Sequence, residues 1–492
     1  MNAVILSNAR LLDLTWGGEI GDLVAVDGIV TAVGPGAADT AVLPSDGEVD
    51  RRDLGGHLLI PGLVNAHTHS NQSLEKGLCD ALPLDAWMVL ASYGGAGARL
   101  TPRDLYVSAA VGGIEMLRSG ATAVLDCARS DIEWMDEGMD AIMQAYLDLG
   151  LRANVAIQYS DLDFFSSIPL GLVEGTKSMR RPALAAPEQV LAAAEGFLDR
   201  WLGTSDRVQP ILGPSSLPRC STELFEASVD LAKRRGARFQ THLLSAPSQV
   251  TVGRERYGSS TVEFLARMGA LEDWASFAHA IWLDDREVEI FAASDAVAVH
   301  NPLSNLKLGA GVAPVPKLLR AGAKVAIGSD GASSNDTQNM FETLKMSTIL
   351  HRVHGPQRTW PTAQDGLRMC WTSGAAAMGA DLGRLAVGAR ADLTVLDTGY
   401  VWPAAADQLR QQLAYAELGS AVRDVYVDGR PILLGGAVTT VDEDALRAEA
   451  QEIAARIWST LPERLGKFEE WRPVLEQIEA AVGGELGVHV CA

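Results

Sequence analysis

Basic residues are in short supply. The 492 residues carry 41 lysines and arginines against 62 acids, a formal net charge of −21. That deficit argues against a nucleic-acid partner, because phosphate backbones are held by basic surfaces. Cysteine is scarcer still, with five residues scattered at 79, 127, 220, 370 and 491 and no paired metal motif among them. An odd, sparse set fits a reducing compartment better than a disulfide framework. No uncharged apolar run reaches the length needed to cross a bilayer, which argues against a membrane partner. Met1 to Leu14 is apolar but is interrupted by Asn8 and Arg10 and lacks a charged leader and a cleavage site. It reads as a strand rather than a signal peptide, so a cytoplasmic location is expected. Internal repeats and low-complexity segments are missing as well.

Hydrophobic residues, in contrast, make up 47% of the chain, enough for a large buried core. The first sixty residues read as strands at Val4–Leu6, Leu23–Val26 and Val30–Val33, with Asp27-Gly28 as a hairpin turn. A matching pattern returns late, at Asp392–Leu396 and Val422–Val427, where Asp428-Gly429 turns into Pro431–Leu434. Two half-sheets at opposite ends can pair only if the middle folds as one insert, so a composite β domain is the economical reading.

Between them short apolar strands alternate with helical segments, the pattern of a parallel sheet. Eight strands are expected: Leu63–Ala66, Ala121–Asp126, Ala153–Gln158, Val208–Gly213, Arg238–Leu243, Ser276–Ile281, Ala296–His300 and Lys324–Gly328. Thr101-Pro102-Arg103-Asp104 offers a helix cap, a first-turn proline and an acid. Gly120, Gly150, Gly236 and Gly322 sit where helices should stop. The predicted fold is a (β/α)8 TIM-type barrel over residues 61–387. A small composite β-sandwich is built from 1–60 and 388–440, and a helical extension, 441–492, follows (Glu443–Ser459, then Phe468–Ala481, with Trp458 and Trp471).

The chemistry gathers where such a barrel puts it. His67-Thr68-His69 ends the first barrel strand, and alternate strand residues face the same way. His242, His279, His300 and Asp330 also fall at C-terminal strand ends, the face that carries active sites in this architecture. Five of the nine histidines therefore lie on that rim. Imidazoles with one carboxylate suit zinc, iron or a similar divalent metal, with a position left for water.

Three stretches carry a resemblance. His67-Thr68-His69 after Leu59-Ile60-Pro61-Gly62 resembles the opening motif of the amidohydrolase superfamily. Val299-His300-Asn301-Pro302-Leu303-Ser304-Asn305-Leu306-Lys307-Leu308 and Gly328-Ser329-Asp330-Gly331-Ala332-Ser333-Ser334-Asn335-Asp336 are similar to the branch holding atrazine chlorohydrolase, guanine deaminase and adenosyl-homocysteine deaminases. Leu385 to Leu393 looks like that branch's return into the composite domain, and the likeness runs from about residue 3 to about residue 435. The resemblance implies one divalent metal, zinc first and iron or manganese next, held by His67, His69, His242 and Asp330. It implies that Asp330 takes the proton of the attacking water and passes it to the leaving group. It also implies that His279 hydrogen-bonds that water and stabilises developing charge; the alternative for His279 is a buried structural histidine. A homodimer or larger homo-oligomer acting on a small-molecule substrate is implied as well.

Two departures stand out. The deaminase branch shows a Glu three residues after the fifth-strand histidine, and Ser245 stands there. A serine hydroxyl does not serve as a carboxylic acid at neutral pH. A histidine common after strand four is replaced within Gly213-Pro214-Ser215-Ser216. The leading expectation is therefore hydrolysis of a C–N bond of amide, urea or cyclic imide type in a small nitrogenous heterocycle. The alternatives are an aminohydrolase of a purine, pyrimidine or triazine-like ring and a metal-retaining binding protein without turnover. For substrate contact, Gln72 with its neighbour Asn71 could orient a heteroatom, Trp87 could stack on a flat ring, and Ser245 faces the missing acid's place; loop bonding and packing are the plainer roles for the first two. Asp126 is expected in a loop salt bridge, Asn301, Ser304 and Asn305 as braces, and His351 and His354 in surface or packing positions.

Overall fold

A computed structural model describes every residue except 1, 94–98, 130–134, 175, 177–183, 354, 400–401, 403–404 and 487–492. Seventeen strands are present among the described residues. The first five are β1 (Ala3–Leu12), β2 (Gly17–Val26), β3 (Ile29–Gly34), β4 (Val49–Asp53) and β5 (Leu58–Pro61). Eight follow through the middle: β6 (Leu63–Thr68), β7 (Ala121–Ala128), β8 (Arg152–Tyr159), β9 (Val208–Pro214), β10 (Phe239–Leu243), β11 (Ala275–His279), β12 (Val297–His300) and β13 (Lys324–Ile327). The last are β14 (Leu393–Leu396), β15 (Val422–Val427), β16 (Arg430–Leu434) and β17 (Ala437–Val438).

Strands β6 to β13 form one parallel sheet in chain order. Their residues are buried along nearly the whole length, as in β7 (ATAVLDCA), because helices cover one side and the barrel core fills the other. The sheet curls until β13 returns beside β6, where the Asp330 amide donates to the His67 carbonyl (2.9 Å). A Cβ at Gly328 would lie 2.8 Å from the His67 nitrogen, so only glycine permits that approach. All eight expected strands are present, within a residue or two at their ends. The helices between them start and stop as the local residues dictate. Pro102–Arg118 opens on a capping box of Thr101 and Asp104, and Thr222–Arg235 ends at Gly236 in the left-handed region (φ 59°).

The two chain ends meet in a second sheet of nine strands, ordered β17-β16-β15-β14-β5-β1-β2-β3 with β4 on β1. Antiparallel pairing of β14 with β5 (Leu393 opposite Pro61) joins late residues to early ones. The sheet folds back so that its two Asp-Gly hairpin turns touch. Ala391 donates to the Gly28 carbonyl and accepts from the Gly429 amide (both 2.8 Å), and a Cβ on Gly28 would lie 2.8 Å from that of Asp428. Strands β4 (VDRRD, charged at four of five positions), β5 and the two-residue β17 escape the sequence reading.

After residue 441 the helix Glu443–Ser459 lies along Pro102–Arg118 through Arg118–Glu443 and Arg103–Glu449 ion pairs. The next helix, Leu461–Leu486, starts earlier than expected and passes through Pro473. Pro462 falls in its first turn, where a missing N–H costs nothing, and burial of Arg464 and Phe468 outweighs the weak propensity of Gly466. Phe468, Leu475, Ile478 and Val482 share a satellite core with Leu78, Trp87, Leu90 and Phe164, and Trp471 stacks on Phe165 at 3.8 Å. The tail thereby roofs part of the barrel mouth. No helix among the described residues is long and apolar enough to cross a membrane.

Barrel and composite sheet are joined by one buried cation. Arg152, at the start of β8, donates from Nε to Asp392 Oδ2 (2.7 Å), from Nη2 to Asp392 Oδ1 (3.0 Å) and to Asp428, with 3% and 1% of the Arg152 and Asp392 side chains exposed. Removing one partner strands the other charges out of water. Arg152→Met should therefore lower stability by about 3–5 kcal/mol, read as a fall in the urea midpoint at unchanged slope; an unchanged midpoint would show the pair to be dispensable.

Candidate metal centre and pocket

His67 and His69 leave the end of β6 on the same side and are buried, at 0% and 7% exposure. His242 comes from β10, His279 from the end of β11 and Asp330 from just beyond β13. Each of the first three imidazoles is anchored through Nδ1 to an acceptor: His67 to Gln240 Oε1 (2.7 Å), His69 to the Cys127 carbonyl (2.6 Å) and His242 to the Ser215 carbonyl (2.6 Å). An acceptor at Nδ1 fixes the proton there and leaves the Nε2 lone pair facing inward. Those Nε2 atoms converge. His67 and His69 lie 3.5 and 3.4 Å from Asp330 Oδ1, and His242 Nε2 is 3.3 Å from that of His69.

Burial drives the pKa of His69 down and that of His242 well below the usual imidazole range, so both rings are neutral. For Asp330, burial pushes upward but is outweighed by the imidazoles of His67, His279 and His69 around it, which hold the carboxyl well below its ordinary range. Lone pairs facing one another beside a carboxylate, with His67 Nε2 buried and without a hydrogen-bond partner among the described residues, are the donor set that a divalent cation satisfies. The Cys127 sulfur is also within reach of His69 and His242. Burial, with Asp126 and Asp330 nearby, raises its pKa well above the usual thiol value, so it is a protonated thiol whose backbone does the bracing.

His279 stands to one side. Its Nδ1 meets Asn305 Oδ1 at 2.9 Å, and its Nε2 faces the other carboxylate oxygen, Asp330 Oδ2, at 4.0 Å. His279 (φ 74°), Ala280 (47°), Leu244 (46°) and Asp330 (64°) all adopt left-handed backbone, which costs non-glycine residues and gathers at functional rims. Side-chain bonds hold the turn under Asp330: Asn65 receives the Ser329 amide (3.0 Å), and Gln338 Nε2 donates to the Asp330 carbonyl (2.9 Å).

A hollow of about 370 Å³ opens over this cluster and is lined by His69, His242, His279 and Asp330. Gln72, Trp87 and Ser245 line it as well. Gln72 Oε1 accepts from Ser333 Oγ (2.7 Å) and occupies the space Gly331 leaves, where a Cβ would be 1.9 Å away. Trp87 is 6% exposed, and its Nε1 has no hydrogen-bond partner among the described residues. Ser245 is clamped: its amide donates to Gln249 Oε1 (3.0 Å) and its Oγ accepts from Gln249 Nε2 (2.9 Å). An amide thus stands beside the hydroxyl where the related branch has an acid.

One expectation is corrected. Among the described residues Asp126 makes no salt bridge; fully buried, it accepts from the Ser70 amide (2.8 Å) and the Tyr146 hydroxyl (3.0 Å), and burial pushes it up to about 6. His351 takes a packing position, buried against His300 with ring centroids 5.5 Å apart, and His354 lies outside the described residues. Other pocket residues escape the sequence reading. Gln240 is two positions before His242 on the same strand face, a spacing that does point to it. Gln249, Asp85 and the Glu75–Arg464 pair (3.0 Å), whose arginine comes from the tail, have no local signal.

His242→Ala should lower the metal bound per chain, and Gln240→Leu should weaken metal affinity about 10–100-fold by freeing the His67 ring. Both are read by inductively coupled plasma mass spectrometry after dialysis against a chelator series, and wild-type retention would remove either residue from the site.

The sequence and fold are similar to those of known proteins. The Amidohydrolase family model matches residues 58–432. The 5'-deoxyadenosine deaminase of Methanothermobacter thermautotrophicus is 32% identical over 429 residues, spanning 87% of this chain and 92% of that protein. The 5-methylthioadenosine/S-adenosylhomocysteine deaminase of Haloarcula marismortui is 33% identical over 449 residues, 91% and 94% of the two chains. Among solved structures, a zinc-bound adenosine deaminase from Xanthomonas campestris superposes with a TM-score of 0.79 at 26% identity, covering 93% of this chain and 98% of its own. The zinc complex of atrazine chlorohydrolase from Arthrobacter aurescens TC1 gives 0.78 at 23% identity over 92% and 100%, a likeness of fold. The chain belongs to the amidohydrolase family, whose members here are hydrolases acting on carbon–nitrogen bonds outside peptides.

Proposed function

We propose that the chain hydrolyses a C–N bond in a small nitrogenous heterocycle, with one divalent metal, zinc by preference, held by His67, His69, His242 and Asp330. The observation that carries this reading is the meeting of the His67 and His69 Nε2 atoms at Asp330 Oδ1, with His242 Nε2 3.3 Å from that of His69, at the mouth of the barrel. A borderline metal suits that mixed imidazole–carboxylate set, and it supplies Lewis acidity and makes water nucleophilic near neutral pH.

The residues divide the remaining work. Asp330 Oδ2 lies toward the pocket side that His279 occupies, so this carboxylate takes the proton of the attacking water and returns it to the leaving nitrogen. With Nδ1–H directed at Asn305, His279 offers Nε2 as an acceptor that orients the water and carries positive charge as negative charge develops beside it. Trp87 supplies a flat wall for a ring and Gln72 a polar edge.

An amide, urea or cyclic imide suits this set best, because its carbonyl needs no protonated ring nitrogen and neither Ser245 nor Gln249 is an acid. Deamination of an aminoheterocycle is the second reading. It is supported by relatives that are deaminases over nearly their whole length, and by Asp85, a pocket carboxyl that burial raises to about 6. A homodimer or larger homo-oligomer is the form the resemblance implies, a cytoplasmic location is the expectation from the sparse cysteines, and light scattering reads the assembly.

Mass spectrometry of products from cyclic amides, ureas and aminoheterocycles separates the readings. A gain of one water establishes ring or amide cleavage. Exchange of an amino group for oxygen, with ammonia released, establishes deamination. Metal retention with no product across the panel would leave a binding protein. Asp330→Asn should abolish turnover, and near-normal activity would overturn its part as proton carrier.

A further inference from the structure

Among the described residues three acids line the hollow over the histidines, Glu75, Asp85 and Asp330. Asp330 is part of the histidine cluster, and Glu75 is bound to Arg464 Nη1 (3.0 Å). Asp85 belongs to neither arrangement. It sits in the short helix Leu84–Met88, which also puts Trp87 into the hollow. Its Oδ2 accepts from Ser248 Oγ (3.2 Å). Among the described residues its Oδ1 makes no hydrogen bond and no cation pairs with it. Asp85 also borders a second hollow, under the tail beside Glu479, of about 50 Å³. That is too small for a ring, since a cavity that takes benzene measures about 150 Å³. A ring therefore reaches this carboxyl from the larger hollow.

Its place gives this carboxyl meaning. Ser248 lies in the first turn of the helix Pro247–Tyr257, three positions after Ser245, and its neighbour Gln249 is the residue that ties Ser245. Asp85 is thus bonded to the same turn that lacks the acid expected at Ser245. Burial raises its pKa to about 6; the Ser248 bond opposes the rise and Glu479 of the tail adds to it. At neutral pH the group is mostly a carboxylate, an acceptor with one oxygen still unmatched. Such an oxygen, at the wall of a hollow that a ligand would dry, is best satisfied by an N–H.

We propose that Asp85 is a specificity residue of this site: its open oxygen accepts a hydrogen bond from a ring N–H, so the substrate is a heterocycle with an unsubstituted N–H, as in a lactam, imide or ureide. This rests on the hydrolase reading above and names its substrate class, but its test does not need turnover. Calorimetric dissociation constants of the zinc-loaded protein are compared for matched pairs: hydantoin with 1,3-dimethylhydantoin, uracil with 1,3-dimethyluracil, and hypoxanthine with 1-methylhypoxanthine. In at least one pair the N–H member should bind about tenfold more tightly, the worth of one hydrogen bond to a charged group. Asp85→Ala should close that gap by weakening the N–H member. Asp85→Asn, equal in shape but uncharged, should narrow it in the same way. A gap in no pair, or a gap unaltered in whichever variant keeps wild-type circular dichroism and zinc content, would overturn the proposal. So would a gap closed by tighter binding of the methylated member, which would make Asp85 a steric wall. Products from the panel without such a gap would count against this proposal alone, and a gap without products against the hydrolase reading alone.

Discussion

Everything at the barrel mouth follows from holding neutral imidazoles with their lone pairs toward one another. Left to themselves, such rings would turn or bind protons. Here each Nδ1 is committed to an acceptor on a different strand or loop, Gln240, the Cys127 carbonyl and the Ser215 carbonyl, so none can turn without losing a hydrogen bond in a dry interior. Burial keeps protons off His69 and His242, and the carboxylate keeps the cluster attractive to a cation. The close return of β13 past Gly328 and the left-handed turn at Asp330 serve the same end, because they bring the acid to the histidines from the far edge of the sheet.

Beside the histidine cluster, the substrate-facing wall is built around two serines. Ser245 is tied to Gln249, and the Ser215 hydroxyl receives the Arg219 guanidinium while its carbonyl holds His242. Neither serine can hand a proton to a neutral ring as a carboxylic acid could. The histidine cluster is set by strand ends and the wall by loops and the tail.

Much of the fold was legible because its signals are local. Strands β6 to β13 are short apolar runs, their separating helices carry caps such as Thr101 and stops such as Gly236, and the period of two places His67 beside His69. The candidate site was legible because its members fall at strand ends. What stayed hidden depends on distance. Arg152 pairs with Asp392 across 240 positions, Arg464 reaches Glu75 across 389, and nothing near either residue announces its partner. Asp126 was misplaced for a related reason. A strand-end acid looks like an ion-pair member until the fold supplies a backbone amide and a tyrosine hydroxyl and no cation.

The pairing of β14 with β5 sets an order on how the molecule is made. A ribosome releases His67 and His69 early, but the acid that completes their cluster follows more than half the chain later, and β14, which pairs with β5 just before the first barrel strand, later still. Until then the early strands have a free edge and Arg152 lacks its counter-ions. Metal capture by the full cluster is therefore an event that comes after most of translation, and the nascent barrel spends that interval as an open sheet for which chaperones are the natural guardians.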